Sequence, residues 1–167
     1  MKTELREASK KQYPTLERLI QLYLHDMSEF VRFDVGDDGL FDASSLRLES
    51  YWTEPDRSPF LIYVDGKLAG FVLVNSYTCL QKNSGGKSIA EFFIMRRYRR
   101  TGVGTSAAFR VFDSFRSRWE VRQLQTNTAA QRFWRRVISE YTRGRFRETI
   151  LDNETWRGPI QSFDNGG

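Results

Sequence analysis

The feature that most constrains this chain is a strand, loop, glycine turn and helix run together in its middle. Glu91-Phe92-Phe93-Ile94-Met95 is apolar and aromatic, the composition of a buried strand. Arg96-Arg97-Tyr98-Arg99-Arg100 follows, and Thr101-Gly102-Val103-Gly104-Thr105 then opens a segment, Ser106 to Phe115, that reads as a helix. A glycine-bearing turn at a helix N-terminus aims several backbone N–H groups at one point, and the helix dipole adds partial positive charge there. Glycine permits positive φ and leaves room for close backbone approach. Such a turn suits an anion, most often a phosphate. The four arginines beside it suit a highly charged ligand.

Charge is distributed to match. Residues 96–147 carry 14 arginines against Asp113, Glu120 and Glu140, a net +11; with +5 overall, the rest of the chain carries −6. A charge run is often only a solvated face. Here it brackets an anion-shaped turn, so a polyanionic ligand is the better reading, with nucleic acid as its rival.

Other classes are excluded by composition. At 167 residues the chain suits one domain, residues 1–167, and 40% hydrophobic content with 13 phenylalanines indicates a packed core. No apolar run approaches the ~20 residues of a membrane helix, and the polar Met1–Glu7 start is unlike a signal peptide. One cysteine, Cys79, rules out an internal disulfide framework and fits a reducing, cytoplasmic location. With His25 as the lone histidine, no metal site and no histidine-based triad is expected.

The element order reads β-α-α-β-β-β-α-β-α-β-β. Leu5–Ala8 is a short strand. Residues 14–30 place Leu16, Leu19, Ile20, Tyr23, Leu24 and Met27 at helical spacing behind Pro14. Residues 31–42 read as a loop and 43–52 as a second helix. Residues 60–64 and 68–75, joined by Asp65-Gly66, form a hairpin signal. A turn at Asn83–Gly86 leads into a strand, 88–95. Residues 120–126 read as a strand, 128–138 as a helix capped by Asn127, and 145–151 and 160–163 as closing strands. The fold class is therefore mixed α/β, a mostly antiparallel sheet of six to seven strands flanked by about four helices.

On these residues the chain resembles the GNAT-type N-acetyltransferase superfamily. Arg99-Arg100-Thr101-Gly102-Val103-Gly104, preceded by Tyr98, matches the Arg/Gln-x-x-Gly-x-Gly/Ala pyrophosphate signature of that family. Asn127-Thr128-Ala129-Ala130-Gln131-Arg132-Phe133-Trp134 matches its Asn-x-x-Ala-x-x-Phe/Leu-Tyr helix block except at the last position. A dinucleotide-binding turn is the rival for Gly102-x-Gly104-x-x-Ala107. That fingerprint expects an acid closing the next strand, which here ends at Thr126-Asn127.

The resemblance implies acetyl-CoA as co-substrate and a primary amine as acceptor, in a ternary complex. Backbone N–H groups along Arg99, Arg100, Gly102, Val103, Gly104 and Thr105 would hold the pyrophosphate. Phe92 and Ile94 would pair with the pantetheine arm like an added strand, and Asn127 would reach it. The Phe92 N–H would donate to the thioester oxygen, where negative charge develops. Glu91, the only acid of its strand, is nominated as general base; its alternative is a structural carboxylate paired with an arginine. Trp134 stands where many members have a tyrosine general acid. Tyr98 or Tyr141 could substitute for it, or the thiolate could leave without one.

The first helices and their loop cover the acceptor site in this family. Asp26, Glu29, Asp34, Asp37, Asp38 and Asp42 lie there against Arg32 alone, which suggests a small cationic acceptor. The partners implied are that small-molecule amine and, through the Trp156–Phe163 tail, a homodimer; neither nucleic acid nor membrane is expected. A non-enzymatic acyl-CoA-binding domain that lost its acid is the second hypothesis. A basic nucleic-acid-binding module is the third.

Overall fold

The computed structural model describes residues 1–82 and 84–167; Asn83 of the expected Asn83–Gly86 turn lies outside the described residues. Strands β1 (Thr3–Glu7), β2 (Ser58–Val64), β3 (Lys67–Asn75), β4 (Lys87–Ile94), β5 (Arg118–Arg122), β6 (Arg147–Asp152) and β7 (Arg157–Asp164) form one sheet in the order β1-β2-β3-β4-β5-β7-β6. Every pairing is antiparallel except β4 with β5. Helices α1 (Tyr13–Met27), α2 (Val103–Ser114) and α3 (Thr128–Thr142) complete the frame.

Strand alternation sorts the core onto two faces. In β2, Phe60, Ile62 and Val64 point towards α2 and α3, where they meet Val72, Val111, Phe112, Val137 and Ile138. Leu61 points the other way and packs with Phe71, Leu73 and Phe93 under Leu16, Leu19, Ile20 and Leu24 of α1. That second layer includes no residue of β5, β6 or β7. On the α1 side, the far half of the sheet therefore lies outside the layer that α1 covers.

The join between β4 and β5 is the feature that builds a site. Ala90 is an extra residue between Ile89, which pairs with Val74, and Glu91, which pairs with Leu73. A bulge of this kind twists and re-aims a strand. Only Lys87 and Ser88 then pair with β5, opposite Trp119 and Glu120. From Ile89 to Ile94 the β5-facing edge of β4 has no ladder partner, and a wedge opens between the two parallel strands.

Several boundaries differ from the sequence reading. The expected helix over 43–52 is two 3-10 turns, Ser44–Leu46 and Leu48–Trp52, because Arg47 between them adopts left-handed φ +48°. β5 runs from 118 to 122 instead of 120 to 126, since Trp119 and Val121 are its buried apolar residues and a turn, in which Asn127 N–H bonds to Leu124 O at 3.1 Å, follows it. α3 extends four residues beyond 138, with Val137 and Ile138 buried, and stops where Arg143 and Gly144 turn left-handed. β7 begins at Arg157 and is flanked by β5 and β6 on its two edges, so residues 157–163 of the tail expected to take part in pairing are a strand inside the sheet. Among the described residues, no helix is long and apolar enough to cross a membrane.

Candidate active site

The glycine turn sits where the wedge opens. Residues 96–98 make a 3-10 turn, Arg100 and Gly102 take positive φ (+60° and +87°), and α2 starts at Val103. The Ser106 N–H makes the first helical bond, to Gly102 O at 3.0 Å. The N–H groups of Val103, Gly104 and Thr105 are thus left without helical partners and point out of the helix end. The two glycines are needed for different reasons. A Cβ on Gly102 would meet nothing within 4 Å, so its requirement is the positive φ. A Cβ on Gly104 would lie 3.1 Å from Phe133 Cε2 and Cζ. Gly104 therefore lets α3 close onto α2, a role the sequence reading did not assign.

The arginines around the turn are partly engaged. Arg99 Nη2 and Arg96 Nη2 both donate to the Asp26 carboxylate at the end of α1, the second at 2.9 Å. Burial acts to raise the Asp26 pKa, but these two guanidinium bonds outweigh it and hold the carboxyl below its ordinary range. Arg99 Nε also donates to Ile94 O at 2.8 Å. The Arg99 side chain thus fastens the turn to α1 and to the end of β4. The Arg100 side chain is exposed and makes no ion pair among the described residues.

Strand alternation also decides how β4 is used. Met95 N–H bonds to Ala69 O of β3 at 2.8 Å, and Phe93 faces the same strand edge. The backbone groups of Phe92 and Ile94 therefore point the opposite way, into the wedge. The Phe92 side chain lies against α3, with its ring 4.9 Å from Trp134 and 5.8 Å from Phe133. Asn127 caps α3 by accepting the Ala130 N–H at 3.1 Å. Among the described residues its amide NH2 has no acceptor.

Glu91 projects from the other face, towards α1. It stays partly accessible, and the Tyr23 hydroxyl of α1 donates to its Oε2. Burial raises the Glu91 pKa to about 7, against the opposing pull of the Tyr23 bond and the Arg122 charge. The Tyr23 hydroxyl is itself held well above its ordinary pKa, first by burial and then by the Glu91 charge. Tyr51, buried close by, is pushed up to about 12, mainly by burial. A carboxyl that titrates near neutrality and has a fixed hydrogen-bond donor is suited to proton transfer.

The candidates for a general acid separate clearly. The Tyr141 hydroxyl donates to Asp113 at 2.9 Å, accepts from Asn165 at 3.2 Å, and its ring packs on Phe109, Phe112 and Phe163 in the helical layer. Trp134 is buried in that layer beside Phe92. Tyr98 is half-buried beside the glycine turn.

The acidic loop is not gathered at Glu91. Asp38 and Asp42 accept backbone N–H groups of Leu40 and Ser44, at 3.1 and 2.9 Å. With Asp34 they line a separate hollow of about 1200 Å³ between α1 and the 3-10 turns, and Glu91 and the glycine turn are not part of its lining. Asp26 is taken by the two arginines.

Sequence reasoning missed Tyr23, Tyr51 and Arg122. Tyr23 carried a signal: its hydroxyl lies on the buried face of an amphipathic helix and needs a partner. Arg122 carried none, because only the packed sheet brings it opposite β4.

Three comparisons bear on this geometry. Residues 16–138 match the acetyltransferase (GNAT) family profile. An acetyltransferase from Thermus thermophilus superimposes with TM-score 0.71 at 15% identity, over 98% of this chain and 97% of the other. The PaiA N-acetyltransferase of Thermoplasma acidophilum, solved in complex with coenzyme A, gives 0.64 at 12% identity, over 98% and 99%. The ribosomal-protein-S18-alanine N-acetyltransferase of Escherichia coli gives 0.61 at 11% identity, over 99% and 96%. No curated protein matches the chain in sequence. These identities carry the fold, and the profile, which spans most of the chain, carries the family: the chain belongs to the acetyltransferase (GNAT) family, whose co-substrate is acetyl-CoA.

Proposed function

We propose that residues 1–167 form one acetyltransferase domain that moves an acetyl group from acetyl-CoA to the primary amine of a small acceptor. The observation that carries this is the convergence at one wedge of free N–H groups at the α2 start, unladdered backbone at Phe92 and Ile94, and a carboxyl titrating near pH 7. The residues fit the co-substrate. The N–H groups of Gly102, Val103, Gly104 and Thr105, with Arg100 and the backbone of Arg99, suit a pyrophosphate. Phe92 and Ile94 present strand-edge groups to an extended amide-bearing arm, and the free amide of Asn127 can donate to it.

Acetyl-CoA supplies an activated thioester. The chain supplies position and proton transfer. The Phe92 N–H is the donor aimed at the developing oxyanion. Glu91 is the base. An amine of pKa ~10.4 costs about 4–5 kcal/mol to deprotonate at pH 7, and a carboxyl poised near the working pH lowers that barrier. Tyr23 orients the carboxyl and favours its ionised form. The acceptor arrives as a cation, and Glu91 is the negative group that meets it. A lone unbridged thiol at Cys79 fits a reducing cytoplasm.

Titration calorimetry with acetyl-CoA, followed by an amine screen that detects released thiol, tests the reading. Micromolar binding and acceptor-dependent thiol release are expected. Binding without turnover on any amine would favour the acyl-CoA-binding alternative. Absence of binding would remove both.

A further inference from the structure

The wedge holds a second charged group that the transfer chemistry does not use. Arg122 ends β5. Trp119 and Val121 of that strand face α2 and α3, so alternation sends Glu120 and Arg122 to the α1 side, the face from which Glu91 projects. Arg122 Nη1 donates to the buried Ser88 Oγ of β4 at 3.0 Å, which fixes it across the wedge. Its charge acts on both Glu91 and Tyr23. The guanidinium lies between two aromatic rings, 5.1 Å from the Tyr77 centroid and 5.3 Å from that of Trp156.

Among the described residues Arg122 forms no ion pair, whereas Arg57, the other arginine near this basin, is paired with Glu54 at 2.7 Å. The nearby carboxyl Glu120 is occupied by the Cys79 and Leu80 backbone N–H groups, at 2.6 and 2.8 Å. Apart from a 3.5 Å contact with Tyr77 O, also through Nη1, the Ser88 bond is the only hydrogen bond Arg122 makes among the described residues. Nε and Nη2, one edge of the fork, are unused. A half-buried guanidinium, pinned at one nitrogen and held between two rings, is preorganised for a planar anion that takes the free edge.

We propose that Arg122 binds a carboxylate of the acceptor, which makes the acceptor an amino acid or a close relative whose amine lies at Glu91 while its carboxylate lies at Arg122. This rests on the transfer reading above and narrows its substrate. Opposite charges on one face of one wedge match a zwitterion. A purely cationic acceptor such as a polyamine would meet Arg122 with like charge. Tyr77 and Trp156 flank the carboxylate position and offer apolar surface to a side chain or backbone beside it.

The test is acetylation, read by thiol release, of α-, β- and γ-amino acids against their own primary amides, with acetyl-CoA binding measured by calorimetry on the same proteins. Assays are run at pH 9, above the Glu91 value of about 7, to limit the loss of ionised carboxyl when the Arg122 charge, which favours it, is removed. A charge-assisted two-pronged contact predicts kcat/KM for at least one amino acid about 10- to 100-fold above its amide, expressed in KM. Arg122→Gln should bring that ratio close to one and leave acetyl-CoA affinity as it was. Arg122→Lys, which keeps the charge and loses the fork, should fall between and guards against a folding defect in the first variant. Amides used as well as the acids, or a ratio unchanged in both variants, would overturn the proposal and spare the transferase reading. Acetyl-CoA binding with turnover only on amines lacking a carboxylate would do the same. No acetyl-CoA binding and no thiol release with any amine would overturn both.

Discussion

The glycine turn and the Glu91 basin are built on opposite principles. The turn is made by consecutive residues: Gly102 to Thr105 present backbone groups whose direction follows from one positive φ and the start of one helix. The basin is made by side chains from separate elements, Tyr23 from α1, Tyr51 from a 3-10 turn, Glu91 from β4 and Arg122 from β5. A local backbone site tolerates change in most side chains and fails when geometry changes. A tertiary site tolerates local geometry and fails when one functional group is removed. Variants should separate the two regions accordingly.

The largest effect is expected at Gly104. Valine there would put its Cβ against Phe133 and, with its added branches, force the start of α2 to shift. Acetyl-CoA binding should fall by at least about 100-fold, the loss expected when a ligand must displace or distort a close backbone contact. The melting temperature should drop as well, because α2 and α3 can no longer close; overpacking costs about 1–3 kcal/mol. Calorimetry and a thermal melt read the two effects. Tight binding by this variant would mean that the pyrophosphate lies elsewhere.

Glu91→Gln comes next and should leave the turn untouched. Acetyl-CoA affinity should be unchanged while kcat falls about 100-fold or more at neutral pH, the usual share of a general base. In the parent protein activity should rise with pH through about 7, since the base works only when ionised. That limb should disappear in the glutamine variant. A full kcat with the limb intact would return Glu91 to a structural role.

Tyr23→Phe sharpens the same point with a smaller effect. The Tyr23 bond favours the ionised carboxyl, so removing it should move the rising limb to higher pH. Turnover should fall several-fold at pH 7 and recover as the pH rises past the shifted limb. A loss equal at every pH would instead assign Tyr23 to packing, where its ring already lies 5.6 Å from Phe71 and 6.1 Å from Phe93.

The contrast also explains what could be read from the chain alone. The turn's conformation was legible because glycine spacing, an arginine run and a following helix are local signals, and so was the place of Glu91, an acid isolated in an apolar strand. The sheet was legible through the Asp65-Gly66 hairpin and the two amphipathic helices. The wedge was not, because it depends on one extra residue, Ala90, changing the register of a strand. The place of the acidic loop was not legible, because charge in sequence does not say which hollow it will line, and Asp34, Asp38 and Asp42 line one apart from Glu91. Asp26, read as part of an acceptor rim, is neutralised by Arg96 and Arg99. Trp134 departs from the tyrosine of the motif, and its burial follows from the helix face it shares with Val137 and Ile138.

The smallest effect is the one that joins the two regions. Asn127 caps α3 with its carbonyl oxygen and leaves its NH2 free beside the wedge. Asn127→Ala removes both groups. Losing the cap should cost about 1 kcal/mol, or roughly 2–4 °C in the melting temperature of a chain this size. Asn127→Ser restores a capping oxygen and still lacks the NH2. If serine recovers the melting temperature while acetyl-CoA affinity stays about 5-fold weak, the size of one lost neutral hydrogen bond, the NH2 contacts the co-substrate. If serine recovers both, Asn127 acts only through the helix, and any co-substrate contact at the start of α3 must then come from its backbone or from another side chain. The N-terminus of α3 would then join the glycine turn as a backbone site, and the division between the two regions would run along the wedge itself.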